Sequence, residues 1–218
     1  MNGLLCLMIL VAGIPGEDTG DYRIITASVF DHDWVEYEDP WYGLFETDSV
    51  FELRMVELEL IPGTPPLEEW ERPAGLRVEI PDETEEPLII VSSSEMEFVV
   101  GAVPAAFHGY QLLNPDTSII LNAPGIQEAR LFTTEDGLFL HNSEIRQHIT
   151  DTCPGDEYSS IFIAIVWAGD LDRDGKIDLI IDDVNDSYYY YNYKLFLSSE
   201  AEAGSIVKMV ASFCDVYY

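Results

Sequence analysis

The chain has 218 residues, of which 47% are hydrophobic, so it is long and apolar enough to bury the core of one sizeable domain or two small ones. It carries 41 Asp and Glu residues against 10 Lys and Arg, which gives a formal net charge of −31. Nucleic acids and anionic membrane surfaces repel such a charge, so neither is expected as a partner.

The acidity has three interpretations that the composition leaves open. Lysine is scarce, since only Lys176, Lys194 and Lys208 are present. A high acid content with little lysine is consistent with adaptation to high salt, where ions screen self-repulsion. The carboxylates could instead serve several calcium sites, or they could be the ordinary acidity of an extracellular protein.

The first 13 residues resemble the apolar region of a secretory signal peptide, with Ala12 and Gly13 near a cleavage point. We therefore expect a secreted protein, extracellular or periplasmic. No Lys or Arg precedes the apolar run, and a buried N-terminal strand is the alternative. The run is too short to cross a bilayer as a helix, so no membrane insertion of the mature chain is expected.

Two cysteines, Cys153 and Cys214, remain once a signal peptide has been removed. An even pair in an exported protein suggests a disulfide bond. Two separate buried thiols are the alternative. The chain has no Cys-x-x-Cys motif and no Cys/His cluster, so the sequence does not support a zinc site.

Short runs rich in β-branched and aromatic residues, bounded by turn residues, predict strands along most of the chain. They lie at residues 22–30, 50–61, 76–80, 88–91, 96–100, 118–121, 129–133, 138–141, 160–167, 177–181, 194–199 and 206–211. The alternation slips by one residue near Met55 and Val56, which predicts a bulge or bend there. Asp136-Gly137 predicts a hairpin turn. The pattern favours an all-β fold of antiparallel sheets, sandwich-like or a partial barrel.

Two segments depart from this pattern. Residues 31–42 are both acidic and aromatic, and they predict a solvated acidic loop anchored by aromatic residues, with a second cation site or a binding loop as alternatives. Residues 142–149 predict a short helix, because Ile145 and Ile149 would share one of its faces.

The most informative segment runs from Asp170 to Asp178. Its carboxylates, Asp170, Asp172, Asp174 and Asp178, fall at loop positions one, three, five and nine, with Gly175 at position six. This spacing wraps oxygen ligands around a hard cation, and Ca²⁺ is the best candidate. The glycine suits the sharp turn at position six. Lys176, at position seven, would contribute its backbone carbonyl.

The segment differs from an EF-hand at two points. An EF-hand needs a bidentate Glu at position twelve and a helix on each side, whereas position twelve here is Ile181 and both flanks predict strands. The loop is therefore predicted at the tip of a β-hairpin. An acidic turn that binds nothing is the alternative, since Asp and Gly favour turns in any case.

Residues 167–181, WAGDLDRDGKIDLII, resemble the calcium hairpin of FG-GAP (VCBS-like) repeats, and the resemblance extends over roughly residues 160–213. These repeats form the blades of integrin-type propellers and occur in secreted bacterial proteins. The resemblance implies that Asp170, Asp172, Asp174 and Asp178 are side-chain ligands of Ca²⁺ and that residues 194–199 and 206–211 add two strands. One loop does not make a propeller, so a complete propeller is not expected.

Other features give weaker indications. The tyrosines at positions 188–191 and 193 could form an exposed platform for sugar rings or a protein partner, or they could simply pack in the core. The histidines at positions 32, 108, 141 and 148 lack companions at metal-ligand spacing. No nucleophile, phosphate-loop or metalloprotease motif is present.

We divide the chain into a signal peptide (1–13), an N-terminal β-rich region (17–150) and a C-terminal β-meander with the calcium loop (151–218). The sequence predicts a secreted calcium-binding protein that serves as a binding or structural module, with a glycan or an extracellular protein as its partner. The alternative is a secreted hydrolase acting on polysaccharide, with calcium in a structural role. Abundant carboxylates permit a glycosidase-type pair, but for the same reason no pair can be singled out.

Overall fold

The structure is a computed structural model that describes residues 22–26, 29–30, 40–63, 75–81, 83, 85–150, 161–185 and 190–216. Within these ranges the chain forms strands and turns but no helix. The strands are β1 (Tyr22–Ile25), β2 (Val29–Phe30), β3 (Trp41–Thr47), β4 (Val50–Val56), β5 (Glu59–Gly63), β6 (Gly75–Glu79), β7 (Ile89–Ser93), β8 (Gly101–Val103), β9 (Ala105–Leu112), β10 (Ser118–Leu121), β11 (Ala129–Thr134), β12 (Gly137–His141), β13 (Arg146–Thr150), β14 (Ile161–Gly169), β15 (Asp178–Asn185), β16 (Tyr190–Leu197) and β17 (Lys208–Val216).

These strands form four antiparallel sheets. The N-terminal sheet has the order β1-β7-β3-β4-β8, and a small sheet has the order β2-β6-β5. The meander sheet, β10-β11-β12-β13, follows the chain order. The C-terminal sheet has the order β17-β16-β15-β14-β9. The described residues form antiparallel sheets and no helix, which confirms the predicted all-β class. These sheets close into neither a barrel nor a propeller.

The C-terminal sheet is the middle of three layers, because it contributes to two separate cores. Trp167, Ile180 and Leu195 pack in the first core with the N-terminal sheet. Ile165 and Leu179 pack in the second core with the meander sheet. Adjacent residues on one strand thus bury opposite faces, as expected for alternating side chains. Each such side chain contributes roughly 1.5–3 kcal/mol when fully buried.

The prediction that residues 160–167 form a central strand is confirmed. β14 lies between β9 and β15 in the C-terminal sheet, and its described side chains from Ile163 to Gly169 are buried. A strand buried on both faces needs a continuous apolar run rather than alternation. Since β9 precedes residue 150 and pairs with β14, the C-terminal sheet crosses the predicted boundary at residue 150.

The predicted hairpin at Asp136-Gly137 is also confirmed. β11 and β12 pair in register from Thr134 opposite Gly137 to Arg130 opposite His141. Gly137 has a φ of 139°, and a Cβ added there would meet the backbone oxygen of Thr150 at 2.6 Å. Glycine is therefore required by both conformation and space.

The predicted helix at residues 142–149 is wrong. The Asn142 side-chain oxygen accepts hydrogen bonds from the backbone N–H groups of Glu144 and Ile145 at 3.0 and 2.8 Å, and the chain then enters β13. Asparagine makes the same bonds at the start of helices, so the pairing of the following residues with β12 is what makes them a strand. Ile145 and Ile149 both pack against the second core, because a separation of four residues also keeps two side chains on one face of a strand.

One strand prediction also needs correction. Residues 96–100 lie outside any strand; the side chain of Ser93 accepts hydrogen bonds from the backbone of Glu95 and Met96 and draws the chain away from the ladder. The predicted bulge or bend near Met55 and Val56 takes the form of a break between two strands, where the chain changes sheet. β4 ends at Val56 in the N-terminal sheet, and the chain continues as β5 in the small sheet.

Four strands, β3, β8, β9 and β13, were not predicted as strands. β3 lies between β7 and β4, and its first five residues, from Trp41 to Phe45, are all buried. Trp41 and Tyr42 therefore belong to a central strand and not to an exposed loop. β9 was missed because its sequence, AAFHGYQL, shows no regular alternation of apolar and polar residues over its length.

Several predictions concern residues outside the described part. These are the signal peptide (1–13), the acidic segment 31–39, His32, Cys153, the side chain of Cys214 and the side chains of the tyrosines at positions 188–191. Tyr193, which is described, is half-buried against the first core. In the described residues there is no helix long and apolar enough to pass through a bilayer.

Candidate metal centre

The acidic loop joins two rigid strands, as predicted. β14 ends at Gly169, which pairs with Asp178 at the start of β15. A Cβ at Gly169 would lie 2.3 Å from the backbone oxygen of Pro104, so the chain passes too close to that segment for any other residue. The loop therefore begins, at Asp170, directly after a rigidly held strand end in the middle layer. The flanking strands confirm that the loop is not an EF-hand.

The loop brings three carboxylates together. One oxygen from each of Asp170, Asp172 and Asp174 lies within 4.8 Å of the other two, so the group could hold a metal ion. Asp170 is only 6% exposed, and its Oδ1 atom is buried with no hydrogen-bond partner. A buried oxygen without a partner is unfavourable, and a bound cation would satisfy it.

The loop orders itself through its own side chains. Asp170 Oδ2 accepts a hydrogen bond from the Gly175 N–H at 3.0 Å. Asp172 Oδ1 accepts one from the Asp174 N–H at 3.1 Å, and Asp174 Oδ1 accepts one from the Lys176 N–H at 2.9 Å. Gly175 has a φ of 82°, the left-handed conformation that glycine adopts without strain. The prediction of a sharp turn at loop position six is thus confirmed.

Two serines after β16 complete the site, and no motif in the sequence indicated their role. The Ser198 hydroxyl donates to Asp174 Oδ1 at 2.9 Å, and the Ser199 hydroxyl donates to Asp172 Oδ2 at 2.5 Å. They lie more than 20 residues from the carboxylates that they bind, so only the pairing of β15 with β16 brings them together. These bonds hold both carboxylates toward the centre of the loop.

Asp178 is fully buried and lies outside the three-carboxylate group. Its Oδ2 accepts hydrogen bonds from the N–H groups of Leu171 at 2.7 Å and Asp172 at 3.4 Å. Its Oδ1 accepts one from the Ser198 N–H at 2.8 Å. Asp178 therefore ties both sides of the loop to the end of β16. Its role as a direct ligand stays a prediction.

Burial and mutual repulsion disfavour the charged forms of these groups. Burial raises the pKa of Asp170, and the charges of Asp172 and Asp174 raise it further. Burial likewise raises the pKa of Asp172, and it raises the pKa of Asp178 well above its usual range. A divalent cation among the carboxylates would reverse these effects, because it stabilises the charged form.

Lys176 is the one cation within the loop that contacts the carboxylates in the described structure. Its Nζ lies 3.0 Å from Asp174 Oδ2, and this hydrogen bond raises the pKa of Lys176. The pair is largely exposed, and such pairs contribute little to stability. Lys176 therefore neutralises the cluster only in part. The predicted use of its backbone carbonyl as a ligand stays a prediction.

The loop contacts segments outside its own hairpin. The Asp170 N–H donates to the Pro104 carbonyl at 3.0 Å, and the Gln127 N–H donates to the Gly175 carbonyl at 3.0 Å. The Arg173 guanidinium donates to the Val100 carbonyl at 3.0 Å. Val100 precedes β8 of the N-terminal sheet, and Gln127 precedes β11 of the meander sheet. An ordered loop thus connects all three layers.

The described histidines lie apart from the three-carboxylate group. His108 Nδ1 lies 3.5 Å from Glu46 Oε1 at the protein surface. His148 packs edge-on against Phe139 with ring centroids 5.1 Å apart. His141 lies opposite Arg146 in the meander sheet. In the described part of the chain, the group of Asp170, Asp172 and Asp174 contains no histidine.

Comparisons with protein-family models, with curated proteins and with solved structures found no match to this chain.

Proposed function

We propose that this is a secreted protein whose acidic loop binds one Ca²⁺ ion and that it serves as a binding or structural module. The observation that carries the proposal is the buried, unpartnered Oδ1 of Asp170, which lies beside the carboxylates of Asp172 and Asp174. Hydrogen bonds within an acidic turn explain the other oxygens of the site, but they leave this one without a partner.

Calcium fits the donor set better than other common ions. The site offers only oxygens, which excludes ions that prefer sulfur or imidazole. The loop is short and irregular, and Ca²⁺ tolerates such geometry, whereas Mg²⁺ demands a near-ideal octahedron and keeps much of its water. Asp170, Asp172 and Asp174 would hold the ion, with Lys176 O and Asp178 as the further predicted ligands. An affinity on the order of 10⁻⁴ to 10⁻³ M is typical of extracellular modules.

In this proposal calcium has a structural role. It offsets the repulsion among three carboxylates and so fixes the loop that contacts Val100, Pro104 and Gln127. Because these partners belong to the outer layers or lead into them, the ion stabilises the packing of all three layers. A rigid scaffold presents its surfaces in fixed positions, which suits a binding module.

The alternative, a polysaccharide hydrolase with structural calcium, has less support. A cleft of about 260 Å³ lies beside the loop and is lined by Lys176, Ser198, Ser199 and Glu144. Among its described lining residues Glu144 is the single carboxylate. Glycoside hydrolysis generally uses two. Turnover of any polysaccharide by the purified protein would favour the hydrolase.

Thermal melts of the protein in EDTA, in Ca²⁺ and in Mg²⁺ at matched ionic strength test the proposal. A ligand that binds only the folded state raises the melting temperature. At a ligand concentration one hundred times its dissociation constant, the free energy of unfolding rises by about 2.7 kcal/mol. We expect a rise of roughly 5–10 °C with Ca²⁺ and a much smaller one with Mg²⁺. An equal rise with either ion, or with NaCl alone, would mean that general screening of the −31 charge is responsible.

A further inference from the structure

The meander sheet has two very different faces. Its inner face carries Leu121, Leu131, Leu138 and Leu140, which are almost fully buried in the second core. The side chains that alternate with them point away from that core. In a chain with a charge of −31, an outward face of this kind would be expected to be acidic.

The outer face is instead cationic and aromatic. Strand register places Ile120, Arg130, His141 and Arg146 directly opposite one another, in a row across all four strands. Neighbouring strands lie about 4.8 Å apart, so the two arginines are separated by roughly 10 Å. All four side chains are exposed. Two of the chain's ten Lys and Arg residues thus lie in a single row.

A second row supports the first. Phe132 and Phe139 lie opposite each other with their rings stacked and their centroids 5.6 Å apart. The Arg146 guanidinium lies over both rings, 4.2 Å from the centroid of Phe139 and 5.1 Å from that of Phe132. We call Arg130, Phe132, Phe139, His141 and Arg146 the basic face.

The stacking prepares Arg146 to bind an anion. A guanidinium held over aromatic rings has already lost much of its conformational freedom, so less entropy is lost when its N–H groups bind a carboxylate. Within the described ranges no carboxylate forms an ion pair with Arg130 or Arg146, and Arg130 Nε donates to the Ser118 hydroxyl at 2.6 Å. Both arginines therefore keep donors available in a protein that has an excess of acid.

We infer that the basic face binds an acidic polysaccharide, through carboxylates spaced along the sugar chain. The face of a sheet offers side chains and no free backbone groups, so it does not suit an added peptide strand, which binds at a sheet edge. Duplex nucleic acid carries one charge per roughly 1.7 Å of its axis and would be strongly repelled by the rest of the protein. A uronate polymer has a lower charge density, and its apolar ring faces can contact Ile120.

The inference is independent of the calcium proposal, since it rests on side chains of the meander sheet and on none of the loop carboxylates. The test is the binding of polygalacturonate to the intact protein in about 0.1 M salt, where charges farther apart than about 10 Å are screened. Dextran, poly-glutamate and phosphatidylserine vesicles are the comparison ligands. We expect binding to polygalacturonate and none to neutral dextran.

Substitutions then locate the binding surface. Arg146→Gln and Arg130→Gln should each weaken binding about tenfold, the loss expected for one charge-assisted hydrogen-bonding group. Arg146→Lys keeps the charge but loses the flat guanidinium, and we expect it to weaken binding nearly as much as Arg146→Gln. Arg77→Gln is the matched control, because Arg77 is an exposed arginine on β6 whose loss changes the net charge equally.

Failure to bind polygalacturonate would overturn the inference, as would equal loss of affinity in Arg77→Gln and Arg146→Gln. Tighter binding of poly-glutamate or of anionic vesicles would overturn it as well, since the partner would then be a protein or a membrane. All substituted residues are exposed, so the melting temperature of each variant should stay within a few degrees of the parent protein.

Discussion

Replacing Asp172 and Asp174 together with asparagine should abolish the rise in melting temperature that Ca²⁺ produces. Both side chains belong to the three-carboxylate group, and the double variant leaves one charge where three stood. Asparagine retains the Oδ1 atoms that accept the backbone hydrogen bonds of the loop. The loss would therefore arise from charge and coordination and not from a collapsed turn.

The same variant should be at least as stable as the parent protein in EDTA. Burial and the neighbouring Asp174 raise the pKa of Asp172, which means that the folded state disfavours its charge. Removing that charge relieves the penalty when no cation is present. The combination of a lost calcium response with unchanged or higher stability in EDTA is the signature of a cation site.

The control is a second double variant, Asp136→Asn with Glu202→Gln, which changes the net charge by the same amount outside the loop. Both residues are exposed and lie outside the acidic loop. This control should keep the full calcium response. A calcium response that persists in Asp172→Asn with Asp174→Asn, or that falls equally in the control, would contradict the assignment of the ligands.

Replacing Asp178 with alanine should destabilise the protein by about 3 kcal/mol, whether or not calcium is present. The change leaves the buried N–H groups of Leu171 and Ser198 without their acceptor, and it also removes the weaker bond from Asp172. Removal of a buried charge acts in the opposite direction, since burial raises the pKa of Asp178. We expect the unpaired donors to prevail, because each costs roughly 1–3 kcal/mol.

The measurement is the melting temperature in EDTA, which should fall by roughly 6–12 °C for a chain of this size. Asp178→Asn keeps one acceptor oxygen, so its melting temperature should lie between those of Asp178→Ala and the parent protein. Glu202→Ala is the control, since Glu202 is exposed and surface substitutions usually change stability by less than about 0.5 kcal/mol. A neutral effect of Asp178→Ala in EDTA would show that the buried hydrogen bonds do not hold the loop.

The sequence predicted the central parts of the C-terminal sheet because those strands follow simple rules. A strand buried on both faces reads as a continuous apolar run, and β14 shows that pattern. The acidic loop was recognisable because its ligands are close together in the chain. Local information was sufficient for both features.

Long-range information was not accessible in the same way. Ser198 and Ser199 look like ordinary residues at the end of a strand, and only the β15–β16 pairing brings them to Asp172 and Asp174. The basic face was missed for a similar reason. Arg130 and Arg146 are 16 positions apart in the sequence and become neighbours of His141 only through the register of three strands.

Local patterns are ambiguous where two kinds of local structure produce the same spacing of apolar residues. Ile145 and Ile149 fit a helical face and a strand face equally well, and the pairing of β13 with β12 decides between them. The slip at Met55 and Val56 predicted a bulge or bend, and the chain leaves one sheet for another at that point.

The most direct test of the calcium proposal is a calorimetric titration of the EDTA-stripped protein with Ca²⁺ in a background of Mg²⁺. We predict saturable binding of one Ca²⁺ per chain, with a dissociation constant on the order of 10⁻⁴ to 10⁻³ M, that is absent from Asp172→Asn with Asp174→Asn. Unsaturable uptake of many ions, or uptake that Mg²⁺ fully suppresses, would contradict a specific site and leave the loop as an ordinary acidic turn.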